Sequence, residues 1–253
     1  MKPRAGAPDG AEVQTMFAGV ARRYDLANTV LSGGMDRLWR RRLVAAVKTG
    51  LGRHPAGAAQ QVVVDLATGS GAVAFALRAA LPDTVQVRGL DFCEPMLEEA
   101  RKRQEQLDLP GMSFAVGDCL ELPLESECAD AVTISFGLRN LADRARGLAE
   151  MRRILRPGGI LCVLEFTQPD RFFAPLYYAY LRHVLPRLAG LLTGRREAYE
   201  YLAESIQAFP DRPRLAHELV AAGFNEVTWS GLTFGTVALH TARLGTVRKH
   251  SAN

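Results

Sequence analysis

The sequence predicts an α/β protein whose mostly parallel sheet carries helices on both faces. Three observations lead there. From Gln61 to Phe166, short β-branched runs alternate with helical stretches, the pattern of strands joined by crossover helices. A Gly69-Ser70-Gly71 turn separates the first run from the first of these helices, the place where open α/β sheets bind ligands. Pro82 and the run Arg156-Pro157-Gly158-Gly159 stand where two of the helices must stop.

The elements follow in order. Residues 1–12 are rich in Gly, Ala and Pro and read as a disordered tail. Residues 13–58 read as a helical cap. From Gly34 to Lys48, the residues Met35, Leu38, Trp39, Leu43, Ala46 and Val47 recur at helical spacing, and Arg37, Arg40 and Arg41 lie off that stripe. Residues 60–168 form the core, with strands over 61–66, 85–91, 112–116, 131–136 and 160–166 and helices over 72–81, 94–107 and 143–155. Residues 169–210 interrupt the alternation as a helical lid, aromatic from Phe172 to Leu192 and polar from Glu197 to Gln207. Residues 211–242 supply a last helix, Arg212 to Ala222, and a hairpin of strands over 226–229 and 236–240. That makes seven strands with one antiparallel strand ending the sheet, and residues 243–253 are a tail.

A chain of 253 residues with 48% apolar and 23% charged content suits one domain with a sizeable core. The net charge of +4 is spread along the chain, so it implies no nucleic-acid partner; the cluster Arg37 to Arg42 reads as a solvated helix face. Cys93, Cys119, Cys128 and Cys162 form no C-x-x-C pair, and no His stands at ligand spacing, so neither a metal site nor a disulfide framework is expected. That usage fits a reducing cytoplasm. The N-terminus lacks an apolar h-region, and the best apolar run, Leu176 to Leu192, is broken by Arg182, His183, Pro186 and Arg187. The expectation is a cytoplasmic protein, with peripheral contact at the membrane surface left open.

The glycine turn Gly69-Ser70-Gly71-Ala72-Val73-Ala74 matches G-x-G-x-x-A, the dinucleotide pattern. Its context differs. The strand before it ends in Asp65, and the glycines come only after Leu66-Ala67-Thr68. A carboxylate there repels a diphosphate and suits a ligand bearing an amino group. S-adenosylmethionine carries an α-ammonium and a sulfonium without phosphate, and Gly69 and Gly71 let the backbone approach it. Asp91 ends the second strand, where a carboxylate accepts ribose hydroxyls, and Asp118 follows the third, where an adenine amino group is read. Any one of these could be a loop-capping Asp. Three at successive strand ends favour a common crevice.

Further segments carry a resemblance. Ile134-Ser-Phe-Gly-Leu-Arg-Asn140, Arg23-Tyr-Asp-Leu26, Asn28, Leu31-Ser32, Leu164-Glu-Phe166, Tyr201-Leu-Ala-Glu-Ser-Ile206, Pro210 and Val237-Ala-Leu-His240 are similar to the menaquinone and ubiquinone C-methyltransferases. The resemblance runs from about Phe17 to His240. It implies a class I, Rossmann-like methyltransferase fold of seven strands, with S-adenosylmethionine as methyl donor and S-adenosylhomocysteine as product, and no metal. The family's cofactor positions fall on Ser70, Asp91, Asp118, Cys119 and Ser135, beside Asp65, Gly69 and Gly71. The family usually has Thr at Ser70 and an acid at Ala72; the first change keeps the hydroxyl and the second bears on cofactor affinity.

The implied reaction methylates a ring carbon of a polyprenylated quinol: demethylmenaquinol first, a ubiquinone-pathway benzoquinol as the alternative. Loss or polarisation of the phenolic proton activates the ring, so the enzyme must position it and accept a proton afterwards. Arg139 is the candidate for stabilising phenolate charge, His183 for the base and Tyr24 for orienting the ring. Each has a structural alternative: Arg139 paired with Asp143, His183 a packed histidine, Tyr24 a fold cap; Glu165 is a further candidate base. The aromatic stretch is either a lid over a greasy slot or ordinary core, and Arg182, Arg187, Arg195 and Arg196 suit a lid resting on anionic lipid. An NAD(P)-dependent oxidoreductase remains the rival on the glycine turn alone. A nucleic-acid methyltransferase is disfavoured, because the fourth strand runs into Ser135-Phe136-Gly137-Leu138 in place of an N/D-P-P-Y segment. Oligomeric state stays open, with a homodimer among the alternatives.

Overall fold

The computed structural model describes residues 29, 32–53, 60–185, 187 and 196–245. Seven strands form one sheet in the order β3-β2-β1-β4-β5-β7-β6. They are β1 Gln61–Leu66, β2 Val85–Asp91, β3 Met112–Val116, β4 Ala129–Ser135, β5 Leu155–Phe166, β6 Asn225–Leu232 and β7 Val237–Arg243. The first five run parallel, and β7 is antiparallel to both β5 and β6. The antiparallel strand therefore lies inside the sheet, between β5 and β6, and not at its end as the sequence suggested. A hairpin from the far edge folds back into the gap, so β7 is buried along most of its length while β6 takes the exposed edge.

Strand β1 is buried from Val62 to Leu66 because it has a parallel neighbour on each side and helices on each face. Its alternation decides which core each side chain joins. Val63 packs with Trp39, Leu43, Val47 and Leu77 on one face; Val62, Val64 and Leu66 pack with Leu148, Met151, Ile154 and Leu219 on the other. The first face is covered by α1 Met35–Gly52, α2 Ala72–Ala80 and α3 Glu94–Leu107. The second is covered by α4 Arg144–Ile154 and α7 Arg212–Ala221. Asp143 and Asp211 cap α4 and α7, each accepting a main-chain N–H three residues on. Arg78, almost fully buried, closes α2: its Nη2 donates to the carbonyls of Leu81 and Pro82 at 2.7 and 2.6 Å.

Several boundaries differ from expectation: β4 begins at Ala129, and β6 and β7 run on to Leu232 and Arg243. Helix α1 continues to Gly52, carried by the buried Leu51. The Arg156-Pro157-Gly158-Gly159 turn is a bulge inside β5: pairing jumps from Ala129–Leu155 to Ala131–Ile160. Gly158 takes φ +83 there, and Pro157 stands where no ladder hydrogen bond is needed.

The segment after β5 has a small core of its own. Helices α5 Ala174–Ala179, continued by a π turn over Tyr180–Val184, and α6 Arg196–Ala208 bury Tyr177, Leu181, Leu185, Ala203 and Ile206 together. Phe172 and Leu176 on the same stretch stay 75% and 65% exposed. Tyr177, Leu181 and Leu185 are thus ordinary core, while Phe172 and Leu176 are not.

Candidate active site

The sheet's strand order reverses between β1 and β4, so the loops leaving these strands diverge and open a crevice at their carboxyl ends. Both loops begin with a left-handed residue that is not glycine, Ala67 at φ 48 and Phe136 at φ 57. Such backbone is costly and persists where the surroundings fix it, often beside a ligand. The two loops touch closely: a Cβ on Gly137 would lie 2.5 Å from that of Ala67. One pocket lies here, lined by Asp65, Thr68, Gly69, Ser70, Asp91, Asp118, Cys119, Ser135, Phe136 and Asn140 among others.

Asp65 is 1% exposed. The Thr133 hydroxyl, from the neighbouring β4, donates to its Oδ1 at 2.5 Å, and the Thr68 hydroxyl donates to Oδ2 at 2.6 Å. Burial pushes its carboxyl up to about 6; the charge of Asp91 adds to this, and the two hydroxyls oppose it. A cation in the pocket would pull it back toward ionisation. Asp91 is held by two main-chain donors, Gly69 N–H to Oδ2 at 2.8 Å and Cys93 N–H to Oδ1 at 2.9 Å, which ties the glycine turn to the end of β2. Burial raises its carboxyl as well.

Asp118 is exposed and accepts from Leu120 N–H at 2.8 Å, so it caps its own loop and still faces the pocket. Cys119 is buried, and burial pushes its thiol up to about 12, so it presents a neutral S–H and apolar surface. Ser135 Oγ is buried and, among the described residues, has no hydrogen-bond partner. A buried hydroxyl in a pocket wall without a partner marks a place where a ligand atom would be welcome. Gly69 lines the pocket at φ +56. Gly71 does not line it: at φ +82 it begins α2, and a Cβ there would come within 2.8 Å of Phe75 and 2.9 Å of Phe114. Its need for glycine comes from packing.

The residues proposed for chemistry are placed differently. Arg139 lies behind the pocket wall, 8% exposed, with Nη1 donating to Glu165 Oε1 at 2.8 Å and its own N–H donating to Glu165 Oε2 at 3.2 Å. It is not paired with Asp143, which caps α4. Glu165 is thereby occupied by Arg139 and by Phe166 N–H. His183 is exposed on the π turn and is not part of the pocket lining. Tyr24 lies outside the described residues, as do Arg195 and the side chain of Arg196; Arg182 and Arg187 are exposed.

Two further lining residues matter here: the sequence placed Asn140 near the substrate but gave it no role, and it left Arg40 on a solvated helix face. Asn140 accepts from the Tyr201 hydroxyl at 3.2 Å through Oδ1, which leaves its NH₂ free to donate. Arg40 reaches the pocket from α1 and pairs with Asp36, one turn earlier, at 2.7 Å. The acid–base spacing of Asp36 and Arg40 was the available signal. Among the described residues no group of three or more His, Cys, Asp or Glu is arranged to hold a metal ion.

The sequence model of the ubiE/COQ5 methyltransferase family matches residues 7–243. A demethylmenaquinone methyltransferase of Mycobacterium sp. (strain KMS) is 47% identical over 232 residues, 91% of this chain and 93% of that one. A protein of the same name from Mycobacterium tuberculosis (strain ATCC 25618 / H37Rv) is 45% identical over 233 residues, 92% of each chain. Among solved structures, the [4+2]-cyclase SpnF superposes with a TM-score of 0.65 at 18% identity, over 95% of this chain and 98% of that one, which is a likeness of fold.

Proposed function

This chain belongs to the ubiE/COQ5 methyltransferase family, and from that premise we propose that it methylates a ring carbon of a polyprenylated quinol, demethylmenaquinol, with S-adenosylmethionine as donor. It is an S-adenosylmethionine-dependent methyltransferase. The observation that carries the choice of donor is the row of carboxylates Asp65, Asp91 and Asp118 facing one pocket at the ends of three strands. A diphosphate would meet three acids there; an ammonium, a ribose diol and an adenine amino group each meet an acceptor. The unpartnered Ser135 hydroxyl and the φ +56 backbone of Gly69 fit the same guest. A calorimetric titration comparing S-adenosylhomocysteine with NADH tests it: firm binding of the first and none of the second is expected.

When bound, the donor supplies an electrophilic methyl on sulfur. The protein's part is to hold the quinol ring carbon in line with the methyl–sulfur bond and to keep water away. The ring carbon attacks from the phenolate, whose proton has passed to water. Charge flows from oxygen into the ring as the C–CH₃ bond forms and the S–CH₃ bond breaks, and a hydrogen-bond donor at that oxygen holds the phenolate in place beforehand. Asn140 is the polar side chain at the wall for that task, its orientation fixed by Tyr201, with Arg139 stationed directly before it in the chain. The titratable lining residues among those described are Arg40, Asp65, Asp91, Asp118 and Cys119, and three of these are taken by the donor. The displaced ring proton therefore passes to water in this reading.

The lid supports a lipid-facing role. Phe172, Leu176 and Phe234 are 75%, 65% and 56% exposed, and the Phe172 and Phe234 rings meet edge-on at 5.8 Å. Aromatic and aliphatic groups beside the exposed Arg171, Arg182 and Arg187 suit the interface of an anionic bilayer, where a polyprenyl quinol resides.

A further inference from the structure

The pocket holds one cation among the described residues, and no acid of the core is its partner. Arg40 enters from α1, which packs on α2, β4, β5 and β7. That helix lies over the β4–β5–β7 half of the sheet, while Asp91 and Asp118 follow β2 and β3 on the other side of β1. The guanidinium's anchor is Asp36, 4% exposed, which takes Arg40 Nη2 at 2.7 Å and is itself held by the hydroxyls of Thr29 and Ser32 at 3.0 and 3.3 Å. The Arg40 side chain keeps 24% of its surface, and a guanidinium has five N–H donors in a planar fork. One is committed to Asp36.

Resting on the reading of S-adenosylmethionine as donor, we propose that Arg40 binds the α-carboxylate of the methyl donor and so couples α1 to the cofactor site. The donor has one anionic group, and it stands at the methionyl end, next to the ammonium that Asp65 suits. Asp65, Asp91 and Asp118 repel a carboxylate, so this end of the ligand needs a positive partner that the core does not supply. Arg40 is that partner, and its planar fork matches a carboxylate with two parallel hydrogen bonds. The site is thus completed by a helix outside the Rossmann-like core. Asp36 holds the guanidinium in place before the ligand arrives.

The experiment is calorimetry of the full chain and its Arg40→Gln variant with two ligands, S-adenosylhomocysteine and its decarboxylated analogue. Wild-type protein is expected to prefer the carboxylate-bearing ligand by roughly 10- to 100-fold, the worth of a charge-assisted hydrogen-bonded pair. Arg40→Gln should bind the decarboxylated analogue as wild type does, which also reports a folded pocket, and should lose most of that preference. Arg40→Lys should keep part of it. A preference unchanged in Arg40→Gln, or an equal loss for both ligands, overturns the assignment while leaving the choice of donor intact. Failure of wild-type protein to bind either ligand overturns both.

Discussion

Arg139 Nη1 lies 2.8 Å from Glu165 Oε1, and both side chains are withdrawn from solvent, at 4% and 1% exposure. The pair joins the turn after β4 to the end of β5, with the Arg139 guanidinium 5.4 Å above the Phe166 ring. Two roles for Arg139, holding the wall and stabilising substrate charge, make different predictions. Glu165→Ala leaves a buried cation without its partner and should cost about 3–5 kcal/mol in urea unfolding. The double change Arg139→Met with Glu165→Leu, apolar and of similar volume, should recover most of that stability. Arg139 stands outside the pocket lining, so the recovered protein should also recover quinol turnover at saturating donor; turnover that stays low would give Arg139 a part in the chemistry.

Asp65 sets the pH dependence of donor binding. Its carboxyl sits at about 6 through burial, so the fold without ligand favours the protonated form. The stability this brings is complete below the unfolded value of 3.8 and is lost as pH rises through about 6. A ligand ammonium favours the opposite, ionised form. Affinity for S-adenosylhomocysteine should therefore fall as pH drops below 6, by up to about tenfold per pH unit, with Asp91 shifted in the same direction by burial. Thr133→Val removes a donor to the ionised form and should move this transition to higher pH. Calorimetry from pH 5 to 8 in steps, roughly one pH unit apart, reads it out.

The two glycines of the turn should fail in different ways. Gly71→Ala places a Cβ 2.8 Å from Phe75 and 2.9 Å from Phe114 at φ +82, and should cost about 1–3 kcal/mol of folding stability. Gly69→Ala shares the left-handed strain, at φ +56, but its Cβ meets only the flexible end of Met96, at 3.1 Å, a residue that lines the pocket. Its main effect should be on donor affinity. Thermal melts with and without S-adenosylhomocysteine separate the two.

Membrane contact predicts that the protein sediments with vesicles containing anionic lipid. Phe172→Ser with Phe234→Ser should weaken that by about tenfold or more, given about 1.5–3 kcal/mol for each phenyl group buried. Equal recovery in the supernatant with and without vesicles would remove the lid from the lipid surface.

Much of this architecture was legible in the sequence, because β-branched runs buried on both faces leave little choice of element. Strands β1, β2 and β3 begin and end where those runs do. The bulge in β5 was not, since Pro and Gly signal a turn equally well inside a strand and beyond it. For the site, Asp65, Asp91 and Asp118 could be read because each stands at or just beside the carboxyl end of a strand, and strand ends converge by topology. Arg40 was missed: its spacing from Asp36 was there to read, but it stands among three other arginines within six residues, and helical spacing placed it on the solvent side. Its reach into the pocket depends on Asp36 being buried, which is a tertiary fact. The pairing of Arg139 with Glu165 likewise joins residues on neighbouring strands' ends, and no local pattern announces it.

The measurement that bears most directly on the account uses purified protein, a trideuteromethyl form of S-adenosylmethionine and a chemically reduced short-chain demethylmenaquinone. Mass spectrometry of the extracted lipid should show a quinone in which one ring hydrogen is replaced by the labelled methyl, formed in step with S-adenosylhomocysteine. Unlabelled quinone alone, with donor intact and Asp65→Asn indistinguishable from wild type, would contradict it.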